Sequence, residues 1–248
     1  LMVDLAPHIR RYIKLLAREH NISDMQFADC KINLDPTFEV DMSIAESREY
    51  LKKALGVLGE DYLNMIDESY DKRWTDFPQN IGKSTGGFCA TVPNVAGFIL
   101  LSWTGKMNEV FVLAHELGHA YHGHMIENQR PLNRKYCMPL AETASMFNEN
   151  IIYNSFYQKA DQNNKPIILD IQLSALCQVI CDIYARYTFE KSVFKNIEKG
   201  FLFAEDLNQL MLQALKKALG KGLDEKYLHP YRWITKVHYY IPDIAYYN

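Results

Sequence analysis

Apolar positions in the first 20 residues fall three and four apart. Leu5, Ile9, Tyr12, Ile13 and Leu16 mark one face of a helix from about Asp4 to His20. Met25, Phe27 and Ile32 predict a short strand over 25–32, followed by a turn at Asp35-Pro36. Ser43 with Glu46 three residues on is a capping box, opening a helix from Ile44 to Leu58. Gly59 parts it from the next, Asp61 to about Arg73. Between 78 and 97 the helical pattern breaks. Pro78, Gly82, Gly86, Gly87, Pro93 and Gly97 punctuate short apolar stretches and predict strands near Gly87–Thr91 and Gly97–Trp103. Helical spacing returns from about Met107 to Met125, and again from Pro139, apt for a first turn, to about Tyr157. Two further helices are expected near Leu169–Ile197 and Ala204–Leu219. The expected fold is mainly α with a small β-sheet, one domain over residues 1–248, without repeats or low-complexity linkers.

The chemistry stands in the central helix, as His115-Glu116-Leu117-Gly118-His119. Histidines at i and i+4 share a helix face, so both imidazoles reach one metal ion, and Glu116 can hold a water beside it without ligating. With 8 His and 15 Glu in 248 residues, a shuffled chain would contain HExxH about 0.015 times, which leaves room for chance. The preceding Val110-Phe111-Val112-Leu113-Ala114 predicts a buried helix, where two unpaired histidines are costly. Neutral imidazoles suit Zn²⁺, and a catalytic zinc keeps one position open for water.

A third ligand must come from elsewhere. The metzincin pattern needs Gly at 122 and His at 125; this chain has His122 and Met125. His122 and His124 are rotated off the shared face and read as surface or supporting residues. Glu142 is the better candidate, in the first turn of a helix that folds back on the first. The plain alternative is a glutamate held at a helix N-terminus by the macrodipole. Glu149, two turns on, is placed to accept from the second nitrogen of His115 or His119. Asp182, Arg186 and Glu190, at i, i+4 and i+8, read as an ion-pair ladder without catalytic role. The Gly82–Gly87 stretch is no phosphate loop, because Lys83-Ser84 precedes Gly86-Gly87, and it reads as a tight loop near a cleft. Phe98–Ser102 is expected to offer an edge strand to an extended peptide.

Composition narrows the class. Twenty-seven Lys and Arg against 30 Asp and Glu give a net charge of −3, without the basic stripe of a nucleic-acid binder. No run such as Val95 to Leu101 approaches the roughly 20 apolar residues of a membrane span, and the opening residues read as an amphipathic helix, not a leader. Five cysteines, at 30, 89, 137, 177 and 181 without a CxxC pair, argue for buried thiols and a reducing, cytoplasmic setting. The chain opens at Leu1 and stops in an aromatic run at Asn248, which reads as a fragment of something longer.

At these residues the sequence resembles the thimet oligopeptidase/oligoendopeptidase F family of zinc peptidases, family M3. The carrying segments are His115–His119 with Ala120, Ala141-Glu142-Thr143-Ala144-Ser145 through Asn148-Glu149, Gly82–Phe88, Phe98–Ser102 and Leu58–Tyr62. Other gluzincins fit worse, since their spacing wants Glu at Met138 or Pro139. The resemblance implies a gluzincin-type catalytic domain, one zinc per chain and cleavage of internal bonds in short unstructured peptides. It implies a missing N-terminal lobe completing a channel. By position it makes His238 and Tyr247 the active-site His and Tyr after the last long helix. His229, beside Pro230, reads as structural. The rival readings are a non-catalytic zinc-stabilised peptide-binding module and a metallo-exopeptidase. The first has no need of Glu116; the second needs a charged clamp for a peptide terminus, and no such cluster is visible.

Overall fold

A computed structural model describes residues 2–35, 37–83 and 86–241. In it the chain is mainly helical with one small sheet, as the apolar pattern predicts. It forms two compact units, one of Leu1–Pro36 with Gln162–Asn248, the other of Thr37–Asp161.

The central unit, Thr37–Asp161, carries the motif. Helix α2 (Ile44–Leu55) starts at the capping box: Ser43 Oγ accepts from Glu46 N at 3.2 Å, and Glu46 Oε2 accepts from Ser43 N at 2.8 Å. A 3₁₀ turn, Gly56–Leu58, ends this helix earlier than the pattern suggests, and α3 (Glu60–Asp71) follows. The sheet has three strands in the order β1-β3-β2: β1 (Thr75–Asp76), β2 (Gly87–Val92) and β3 (Ala96–Leu101). β2 and β3 form a hairpin, from Gly87 opposite Leu101 to Val92 opposite Ala96. Asn94 takes a positive φ of 61° in its turn, which asparagine tolerates. β1 runs parallel to β3 on its other side, pairing Thr75 with Ile99. Its two residues are too few to show a pattern in the sequence. Their effect is large, because they make β3 the middle strand. The expectation of an edge at Phe98–Ser102 is therefore corrected: β3 is paired on both sides, and the outer strands are β1 and β2.

Helix α4 (Met107–Met125) packs on β2 and β3 and against α5 (Met138–Lys159). Val110, Leu113, Ala114, Leu117 and Ala120 are all buried on one face, and Met107, Phe111 and Gly118 widen that face, while His115 and His119 stand half-buried beyond it. α4 and α5 run antiparallel. At one end Phe111 stacks on Tyr153 (centroids 4.0 Å apart) and meets Phe156 edge-on at 5.5 Å; at the other, Ala114 and Gly118 meet Asn148 and Ser145. Lys83, in the glycine-rich stretch, is spent on structure. Its ammonium donates to the carbonyls of Asp76 (2.9 Å) and Pro78 (2.7 Å) and pairs with the Asp76 carboxylate. Ser84 and Thr85 lie outside the described residues.

The other unit packs α1 (Met2–Glu19), α6 (Lys165–Cys177), α7 (Ile183–Ile197) and α8 (Ala204–Leu219) around one core. α6 and α7 join through a π-helical turn, Gln178–Asp182, so the run 165–197 is continuous. By length and composition that run is long and apolar enough to cross a membrane, which its short apolar stretches had not suggested. Here it buries Asp170, Asp182 and Glu190 along with Ile168, Cys177 and Cys181. Asp170 accepts from Tyr12 Oη at 2.8 Å and Leu34 N at 2.8 Å. Asp182 pairs with Arg186, as the ladder predicts, and with Arg232 at 2.8 Å. The strand expected over 25–32 is instead a 3₁₀ turn, Ala28–Lys31. The Asp29 carboxylate accepts from Gln26 N at 2.8 Å, a local bond that curls the backbone and outweighs so short an alternation. All five cysteines are free; Cys30, Cys177 and Cys181 are buried, Cys89 half-buried and Cys137 exposed.

Candidate metal centre

The antiparallel meeting of α4 and α5 brings His115, His119 and Glu142 together. His115 Nε2 and His119 Nε2 lie 3.1 Å apart, and Glu142 Oε2 is 3.2 Å from the first and 3.4 Å from the second. One ligand atom from each residue lies within 4.8 Å of the others. The helical period supplies the two imidazoles, and the return of α5 supplies the carboxylate.

Around the cluster each group is held by another. Glu149 meets His115 Nδ1; accepting a hydrogen bond there, it favours the tautomer whose Nε2 lone pair is free to bind a metal. Ser145, fully buried, donates to Glu142 Oε2 at 2.8 Å and steadies that carboxylate. Two imidazole lone pairs and a carboxylate oxygen facing one another repel unless a proton or a metal cation stands among them. The donor set therefore fits a divalent ion, and its two nitrogens and one oxygen are those zinc accepts.

Without an ion the cluster keeps a proton. Burial opposes charge on His115, but the carboxylates of Glu142 and Glu149 outweigh it and hold its pKa at about 10. Hydrogen bonds to His115 and His119 hold Glu142 well below the usual carboxylate range. His115 stabilises the folded metal-free chain fully below its ordinary value of 6.5 and loses that contribution as pH rises through about 10. Glu142 acts oppositely, contributing above its ordinary 4.5 and losing it as pH falls. Chelator-treated protein is thus expected to melt at steadily lower temperature from about pH 7 to about pH 10. Glu142→Gln, by removing one of the two carboxylates that hold the proton on His115, flattens that slope in the same thermal scans.

Glu116 lies one step round α4 from both histidines and is 5% exposed. Burial raises its pKa, against the pull of His115 and His119. The β2 backbone runs close to it. A Cβ on Gly87 would sit 3.1 Å from Glu116 Cγ and 2.7 Å from Val112 Cγ1, so this strand needs a residue without a side chain there. Cys89, on the same strand, has its thiol pushed up to about 12 by burial and by Glu116.

The neighbouring histidines do other work. His122 stacks on Tyr136 (centroids 4.4 Å apart), and His124 sits exposed, 3.6 Å from Glu127. His229 accepts from Tyr231 N at 3.2 Å. His238 belongs to the first unit, on a short 3₁₀ turn at Val237–Tyr240, where burial and then Arg186 and Lys236 lower its pKa. Tyr247 lies outside the described residues. Sequence reasoning passed over Ser145 and Asn148. Their signal was a polar stripe, with Glu142 and Glu149, along a helix face that packing would otherwise fill with apolar residues.

The sequence profile of peptidase family M3 matches residues 31–247, and the chain belongs to that family. It is 28% identical over 240 residues to the chromosomal oligoendopeptidase F of Lactococcus lactis subsp. cremoris, covering 94% of this chain and 39% of that protein. It is 26% identical over 220 residues to oligopeptidase PepF of Bacillus subtilis, covering 88% of this chain and 33% of that one. The crystal structure of oligoendopeptidase-F from Enterococcus faecium superposes with a TM-score of 0.63 at 19% identity, over 99% of this chain and 37% of that one. The fold is thus the gluzincin-type catalytic fold of the M3 oligopeptidases, and the chain spans about two-fifths of the length of the curated relatives it matches.

Proposed function

We propose that this chain is the zinc-bearing part of a cytoplasmic endopeptidase that hydrolyses internal bonds of short unstructured peptides. The observation that carries the reading is the convergence of His115, His119 and Glu142 with a buried Glu116 beside them. Three protein ligands leave a position open, as catalytic zinc sites do and closed structural sites do not. Bound there, zinc supplies Lewis acidity, polarising a carbonyl and lowering the pKa of water to about 7.

The residues of the chain do the rest. Glu116 takes a proton from the attacking water and passes it to the leaving amine; a carboxylate raised by burial is suited to holding it in between. Glu149 keeps His115 in the ligating tautomer. β2, one of the two outer strands and the one beside Glu116, offers the edge on which an extended peptide adds as a further strand. Main-chain bonds of that kind are indifferent to side chains and suit broad specificity. By resemblance to the family alone, we assign His238 and Tyr247 as donors to the oxyanion of the tetrahedral intermediate. The missing N-terminal lobe would complete the cleft. No nucleic acid or membrane enters this reading.

Elemental analysis of the purified protein is expected to return one zinc per chain, and His119→Ala to lose it. Peptides blocked at both ends are cleaved if the enzyme is an endopeptidase and spared if it is an exopeptidase. A protein without zinc, or one that spares every blocked peptide, overturns the proposal.

A further inference from the structure

Asn148 has no part in the chemistry just proposed, yet it is 2% exposed and its amide nitrogen makes two hydrogen bonds. Its side-chain amide donates to the phenol oxygen of Tyr62 and, at 2.9 Å, to the backbone carbonyl of Ala114. Ala114 immediately precedes His115. On α5, Glu142, Ser145, Asn148 and Glu149 stand at i, i+3, i+6 and i+7, one face turned to α4. Glu142 meets the two imidazoles, Ser145 supports Glu142, and Glu149 meets His115. Asn148 bonds to the α4 backbone instead.

That difference has a mechanical meaning. One turn from Ala114, Gly118 lies so near α5 that a Cβ on it would be 2.6 Å from Ser145 Cα. Close packing of this kind sets how far apart two helices lie, but a smooth contact resists sliding only weakly. A buried hydrogen bond is directional and falls off steeply with distance, so it resists sliding. Asparagine is suited to the task because its amide nitrogen carries two protons, one for each oxygen it meets.

Building on the metal reading above, we propose that Asn148 is a positioning residue that fixes the register of α4 against α5, and with it the placement of both imidazoles relative to Glu142. The ligands sit on two separate helices, so their geometry is only as good as that register.

The test compares Asn148→Ala with Tyr62→Phe. Both disturb the same buried network, but only the first releases the Ala114 carbonyl. In chelator competition, Asn148→Ala is expected to weaken zinc binding by about 10- to 100-fold, the usual loss when a group supporting a ligand is removed. Tyr62→Phe keeps the unaltered affinity. With Co²⁺ in place of zinc, the visible absorption bands shift in Asn148→Ala alone. Amide hydrogen exchange on metal-free protein gives an independent reading: the α4 amides from His115 to His119 exchange faster in Asn148→Ala and not in Tyr62→Phe. If zinc binds neither variant nor the unaltered protein while that exchange contrast holds, the metal reading fails and the clamp stands. The proposal is overturned if a folded Asn148→Ala matches the unaltered protein in exchange and affinity, or if both variants lose alike, which would assign the effect to general loosening.

Discussion

Glu116→Gln is expected to keep its zinc and lose peptide hydrolysis by about 10²- to 10⁴-fold, the usual worth of a positioned general base. The substitution is nearly isosteric, so the close approach of this side chain to the β2 backbone at Gly87 survives. It also removes a charge from a site 5% exposed, so thermal stability should hold or rise. What it removes is the carboxylate lone pair that accepts a proton. The two imidazoles and Glu142 stay in place, and metal content is expected to be unchanged. A quenched-fluorescent peptide assay run beside elemental analysis reads both quantities. A Gln variant that cleaves at the unaltered rate would remove Glu116 from the mechanism, and one that loses its zinc would make it a ligand.

Gly118→Ala should damage the protein through backbone geometry. The new methyl would meet Ser145 Cα at 2.6 Å and the Ala144 carbonyl oxygen at 2.8 Å. Both belong to the α5 backbone, which cannot step aside as a side-chain tip can. Overpacking of this sort costs about 1–3 kcal/mol. Alanine's better helix propensity returns only about 1 kcal/mol of it. The larger consequence falls on the site. Pushing α5 away carries Glu142 from His115 and His119, while those two, on one helix, stay together. Zinc affinity should therefore fall further than the melting temperature alone would suggest. Chelator competition and thermal melts with and without metal separate the two effects, and unchanged zinc affinity would show that the helix spacing is not critical to the site.

These two variants mark different depths of legibility. The pairing of His115 with His119 could be read directly, because the helical period places i and i+4 on one face. The role of Glu142 could be anticipated less directly, as a carboxylate in the first turn of a returning helix. Gly118 sat inside the motif without any sign that α5 passes within contact of it. Asn148, 30 positions beyond it, showed only as part of a polar stripe with Glu142, Ser145 and Glu149, without any sign of its bond to the α4 backbone.

The same division holds for the fold. Apolar spacing determined α1, α4 and α8 nearly to the residue, and the Ser43–Glu46 box the start of α2, since such signals act within a turn or two of chain. The curl at Ala28–Lys31 escaped that reading because one Asp29 hydrogen bond decided it. The outer edge of the sheet escaped it because two residues of β1, distant in sequence, cover β3. By itself the sequence determined which residue types were available and which face of its own helix each occupies. The sequence also anticipated that α5 folds back on α4; only the tertiary structure decided that the two meet at glycine-close range and that β3 is the middle strand of the sheet. Those outcomes depend on packing between segments far apart along the chain, where local periodicity carries no information.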